Sequence, residues 1–263
     1  MRRALGWIGA LALSVFVAAP AAADTEVDLA LVLAVDVSRS MDLDEQRLQR
    51  DGYVEAFRSV QVHDAIRKGV LGRIAVVYME WSGPMEQTVV IPWTVIEGAG
   101  EANAFAERLA AEPIGRVFST SISGAIDFSV KLLETSRVEA LRRVIDVSGD
   151  GPNNTGRPVA QARDEAVAKG ITINGLPFML KEPIGFGDIR NLDHYYEDCV
   201  IGGPGAFSIP LRERHQIAEA TRNKLVREIA GLAEPAPLVH RASERERANC
   251  LAGEQRRRQQ WGP

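Results

Sequence analysis

The sequence predicts an α/β fold: a doubly wound, mostly parallel six-stranded sheet with helices on both faces. Three observations carry this. Short apolar runs recur along the chain, amphipathic segments alternate with them, and several runs end in turns rich in Ser, Gly and Asp. Composition fits a globular protein, with 46% hydrophobic, 25% charged and 6% aromatic residues over 263 positions. Collagen-like, disordered and polytopic membrane classes are thereby excluded. Lys plus Arg number 31 against 35 Asp plus Glu, which leaves no general attraction for nucleic acid.

The chain opens on Met1-Arg2-Arg3, an uncharged stretch from Ala4 to Val17, then Pro20 and Ala21-Ala22-Ala23. This is the pattern of a secretory signal peptide cleaved after about Ala23, with an uncleaved anchor helix as the alternative. The expected location is periplasmic or secreted. Loss of residues 1–23 removes two arginines and no acid, taking the formal charge from −4 to −6 over 240 remaining residues.

Leu29 to Val35 is a continuous apolar run between Asp28 and Asp36, as in a central strand covered on both faces. From Asp44 to Lys68, Leu48, Tyr53, Val54, Phe57, Val60 and Ile66 recur near helical spacing, and Gly69 supplies a stop. Ile74–Met79 and Thr88–Ile91 read as an antiparallel hairpin around Ser82-Gly83-Pro84. Helices are expected over Ala102–Ala111 and Ser121–Glu134, a buried strand over Val144–Val147, a helix over Val159–Lys169 ending at Gly170, and a strand over Ile171–Leu176. Lys181 to Ser208 has no helical period and reads as a loop or hairpin insertion leading to a sixth strand near Ala206–Ile209. A last helix, Ile217–Ala230, precedes a charged, solvated extension over residues 235–263. The folded unit is thus expected over 24–234. Cys199 and Cys250 are the only cysteines, and in an oxidising compartment such a pair is expected to form a disulfide. Two thiols that never meet are the alternative.

At the end of the first strand stands Asp36-Val37-Ser38-Arg39-Ser40. Short oxygen-bearing side chains at alternate positions of a tight loop can converge on a hard cation, and the same pattern can also be a simple helix cap. Thr120 stands where the long helix begins, and Asp150 ends the fourth strand. In an open doubly wound sheet those strand ends share the crevice at the switch point, so Asp36 and Asp150 are expected to face each other there.

Asp36-x-Ser38-x-Ser40, then Thr120 followed by Ala125-Ile126, then Asp150-Gly151 after an apolar strand, resemble the metal-ion-dependent adhesion site of the von Willebrand factor A domain. The resemblance covers about residues 27–232. Tyr78-Met79-Glu80-Trp81-Ser82-Gly83, Tyr195-Tyr196 and Gly202-Gly203-Pro204-Gly205-Ala206-Phe207 further resemble an uncharacterised exported bacterial branch. The resemblance implies a Rossmann-like fold for residues 24–234 and a divalent cation held by Asp36, Ser38, Ser40, Thr120 and Asp150. It also implies a partner protein that presents Asp or Glu to the ion. Mg²⁺, which keeps several waters, suits this set of two carboxylates and neutral hydroxyls better than a Ca²⁺ cage of many carboxylates would, with Mn²⁺ or Ca²⁺ as alternatives.

Trp81 is expected as a core plug and Glu80 as either its buried neighbour or an acid behind the metal site. Asp127 reads as an acid favoured near a helix start, and His194-Tyr195-Tyr196 as an aromatic cluster packed on its own loop or an exposed patch. The four histidines lack zinc spacing, and no Gly-x-Ser-x-Gly elbow, Walker loop or Gly-x-Gly-x-x-Gly turn is present, so no nucleotide is expected. The expected function is non-enzymatic protein binding, by a protein not integral to the membrane once its signal is cleaved. The alternatives are a metal-dependent, phosphoesterase-like hydrolase or a structural cell-envelope subunit with an unused site.

Overall fold

A computed structural model describes residues 24–115, 118–181, 189–231 and 246–261. The expected signal peptide and part of the charged extension lie outside these residues. Five strands form one sheet: β1 (Thr25–Asp36), β2 (Ile74–Trp81), β3 (Gln87–Ile96), β4 (Val138–Gly149) and β5 (Ile171–Pro177). Their order is β3-β2-β1-β4-β5, with β3 alone antiparallel. The central strand β1 aligns Val35 with Glu80 on one side and with Ser148 on the other, which brings the ends of β1 and β4 together.

Alternation along β1 sorts the two cores. Leu29, Leu31, Leu33 and Val35 face one layer, built from α1 (Leu43–Arg58), α2 (Val60–Arg67), α3 (Ala99–Ala111) and α7 (Ile217–Ala230). Ala30, Val32 and Ala34 face the other, built from α4 (Ile122–Thr135) and α5 (Val159–Ala168). The expected single helix over 44–68 is instead two. Ser59 is extended at φ −78°, ψ 141°, ends α1, and caps α2 by accepting from the Val62 N–H at 3.3 Å.

The expected sixth strand is not formed, so the sheet has five strands. Residues 202–211 make only isolated bridges to β5 and its extension, among them Gly175 with Ser208 and Phe178 with Leu211. Pro204 and Pro210 lack the N–H that a ladder needs, and Gly203 and Gly205 take positive φ, so no continuous register can form. The stretch read as loop contains helix: α6 (Leu192–Tyr195) runs into a single π turn, Tyr196–Val200. That turn carries Cys199, which is bonded to Cys250 with Cα atoms 5.4 Å apart. α8 (Ala252–Trp261) follows.

Candidate metal centre

The loop after β1 is built around its own polar groups. The Ser38 N–H donates to Asp36 Oδ1 at 2.7 Å, the hydroxyls of Ser38 and Ser40 lie 2.9 Å apart, and Ser40 Oγ donates to Asp150 Oδ1 at 2.6 Å. Asp42 then caps α1 reciprocally with Glu45, so the loop is closed at its far end by a capping box. Asp36, Ser38, Ser40 and Asp150 thus form one chain of contacts. Thr120 is not part of that chain; its backbone is joined instead to the loop after Asp150, its N–H donating to Asn154 Oδ1 at 3.1 Å and its carbonyl accepting the Asn154 N–H at 2.9 Å.

Gly149 permits the close approach. A Cβ there would stand 2.7 Å from Asp36 Oδ2 and 3.2 Å from Tyr196 Oη, so any side chain would collide with the buried carboxylate. Asp36 is fully buried, and its Oδ2 has no hydrogen-bond partner. Burial and the charge of Asp150 push its carboxyl well above the usual range, against the weaker downward pull of Ser38 and the Asp150 backbone. Burial, followed by the charges of Asp36 and Asp150, likewise raises the Tyr196 phenol.

This donor set fits a hard divalent cation. An orphaned acceptor on a buried carboxylate, a second carboxylate joined to it through two hydroxyls, and excess negative charge are what a small dication compensates. Among the described residues no group of three His, Cys, Asp or Glu side chains comes together, so the site differs from a zinc or calcium cage.

Glu80 is engaged elsewhere. Its Oε1 accepts from the buried Arg50 guanidinium and its Oε2 from the Gly115 N–H at 2.9 Å. Trp81 is fully buried, Asp127 pairs with Arg157 at 2.6 Å, and Tyr195 and Tyr196 are core residues rather than an exposed patch. Asn153 and Asn154 bridge the Thr120 and Asp150 loops, which sequence reading missed. Their only signal was position, just after Asp150-Gly151-Pro152.

A family model described as "Protein of unknown function (DUF1194)" matches residues 26–233. The chain belongs to this family. The fold of this DUF1194 chain is that of a von Willebrand factor A domain. It is similar to "von Willebrand factor type A from Catenulispora acidiphila", at 16% identity and TM-score 0.52, over 77% of this chain and 43% of that one. The vWF domain of the type V pili tip protein Mfa5 from Porphyromonas gingivalis is similar at 11% identity and TM-score 0.51, over 76% and 94%. Proximal thread matrix protein 1 from the mussel byssus is similar at 11% identity and TM-score 0.57, over 79% and 49%, so the chain spans about half its length. A second structure of that mussel protein has a zinc-occupied MIDAS motif. No curated protein matches the sequence. No helix among the described residues is long and apolar enough to cross a membrane.

Proposed function

We propose that the protein is an exported, non-enzymatic binding module that holds a divalent cation with Asp36, Ser38, Ser40, Thr120 and Asp150 and receives a partner protein's carboxylate there. The observation that carries this is the unpartnered, fully buried Asp36 Oδ2 beside a second carboxylate. When bound, the ion supplies an electrophilic position open to an anionic oxygen. The chain's own residues do the rest: Ser38 and Ser40 fix the loop, Gly149 lets the backbone close on Asp36, and the Asn154 pair with Thr120 joins the second loop. Mg²⁺ is the ion favoured by a set rich in neutral hydroxyls, and the zinc-occupied motif of the mussel protein supports a dication at a site of this fold.

The surroundings support an acidic partner. A cavity of about 340 Å³ opens beside Ser40 and Asp150, lined also by Glu45, Phe178, Lys181, Arg190 and Arg212. Between Ser38 and Ser40, Arg39 lies 3.8 Å over the exposed Phe118 ring. Lys181 is paired with Glu45 and Asp42 and Arg212 with Asp193, so the positive charge beside the crevice of this net-negative chain rests chiefly on Arg190 and Arg39. That arrangement steers a carboxylate-bearing surface to the site.

Electron paramagnetic resonance of Mn²⁺ titrated into the protein, with and without a Glu-containing peptide, tests the reading. A bound-ion spectrum that changes on adding that peptide, and not on adding its Gln analogue, is expected. A spectrum that never departs from free Mn²⁺, or one indifferent to the carboxylate, contradicts it.

A further inference from the structure

Asn153 and Asn154 do more than follow Asp150 in the chain. Asn154 exchanges two hydrogen bonds with Thr120, and Asn153 Oδ1 accepts the Ser123 N–H at 2.9 Å in the first turn of α4. The remaining groups of the fully buried Asn153 engage a distant part of the chain. Its Nδ2 donates to Glu254 Oε1 at 2.8 Å as well as to the nearby Arg157 carbonyl at 3.2 Å, its N–H donates to Tyr195 Oη at 3.2 Å, and Tyr195 Oη donates to the Cys250 carbonyl at 3.5 Å. α8 begins against the same residue, since a Cβ on Gly253 would come within 2.1 Å of the Asn153 carbonyl oxygen. Arg257 adds longer contacts of 3.4 Å to Ser119 Oγ and Asn154 Oδ1. Ser119, immediately before Thr120, is the one described non-glycine residue with positive φ, at 79°. A serine in that region is held there by its surroundings.

We propose that residues 246–261, tethered through Cys199–Cys250, are a strap that positions the ion site: they hold Asn153 and Asn154 so that the Thr120 and Asp150 loops meet at one point. The residues are positioning residues, acting through Asn153 rather than touching the ion. The inference rests on the ion-site reading above and extends it to a segment with no ligand of its own. Polar groups behind first ligands set their orientation, and their loss weakens metal affinity by about 10- to 100-fold.

Calorimetric titration of Mn²⁺ into the full chain tests this, beside the melting temperature of each protein in chelator. Glu254→Ala removes the acceptor that α8 offers Asn153 and leaves only the Arg157 carbonyl, Glu254→Gln keeps an acceptor on α8, and Gly253→Ala pushes α8 off Asn153 while leaving both the disulfide and Glu254 in place. Mn²⁺ affinity is expected to fall about tenfold in Glu254→Ala and in Gly253→Ala, and to stay near the parent's in Glu254→Gln. If both weakened proteins bind Mn²⁺ as tightly as the parent, the strap role is overturned, even where chelated melting falls, because then the segment only supports the fold. If the parent itself binds no Mn²⁺, the ion-site reading fails and the strap role falls with it.

Discussion

Asp36 is held at a cost that its neighbours do not relieve. One of its oxygens accepts the Ser38 amide, the other is unpartnered, and Asp150 adds a like charge nearby. Asp36→Asn keeps an oxygen for the Ser38 amide and removes the charge. It is expected to melt above the parent in chelator and to lose any response to Mg²⁺, which thermal unfolding checks. The Asp36-x-Ser38-x-Ser40 spacing and Asp150 were legible in the sequence because each lies in a short loop at the end of an apolar strand. Asn153, Asn154 and the Arg50–Glu80 pair were not, because their partners lie about 30 residues away and only the tertiary fold joins them.

The elements show the same division between local and long-range signals. β4 was legible only over Val144–Val147, since its first half, with Glu139, Arg142 and Arg143, is partly exposed and lacks an apolar run. The α1–α2 break was hidden by hydrophobic spacing that continues through Ser59, although a serine cap was its local signal. Ser59→Ala is expected to cost about 1 kcal/mol in urea unfolding. On α7, Lys224 and Glu228 are fully enclosed with Asp146 of β4, and Asn174 donates to Glu228 at 2.8 Å. Burial first, then the charge of Asp146, lifts the Glu228 carboxyl from 4.5 to about 7, against the pull of Lys224 and Asn174. A carboxyl that keeps its proton in the fold but releases it near 4.5 when unfolded lowers stability as pH rises between those values. Over that window Glu228→Gln is expected to flatten the fall in urea-unfolding free energy seen for the parent. An equal slope in both proteins would contradict this assignment.

Across the whole molecule, alternating apolar runs and amphipathic segments were enough to read the three-layer architecture. The edge of the sheet was not legible, because the distinction between a sixth strand and bridging loops depends on where two prolines and two positive-φ glycines fall against β5. The Cys199–Cys250 pairing spans 51 residues and ties the start of the segment leading into α8 to the π turn Tyr196–Val200. Its loss is expected to cost about 4 kcal/mol in the chain-entropy model, or on the order of 10 °C in melting temperature for a chain of this size. Differential scanning calorimetry of the Cys199→Ser, Cys250→Ser double variant checks that figure.

A cation bound through Asp36 and Asp150 must stabilise the folded state. The most direct test is thermal unfolding of the parent and of Asp150→Ala, each in Mg²⁺ and in chelator. A ligand specific to the native state stabilises it by about 2.7 kcal/mol at a hundredfold excess over Kd. The melting temperature is expected to rise with Mg²⁺ in the parent and not to move in Asp150→Ala. A parent that melts at the same temperature in Mg²⁺ and in chelator, or a variant that responds as the parent does, would contradict it.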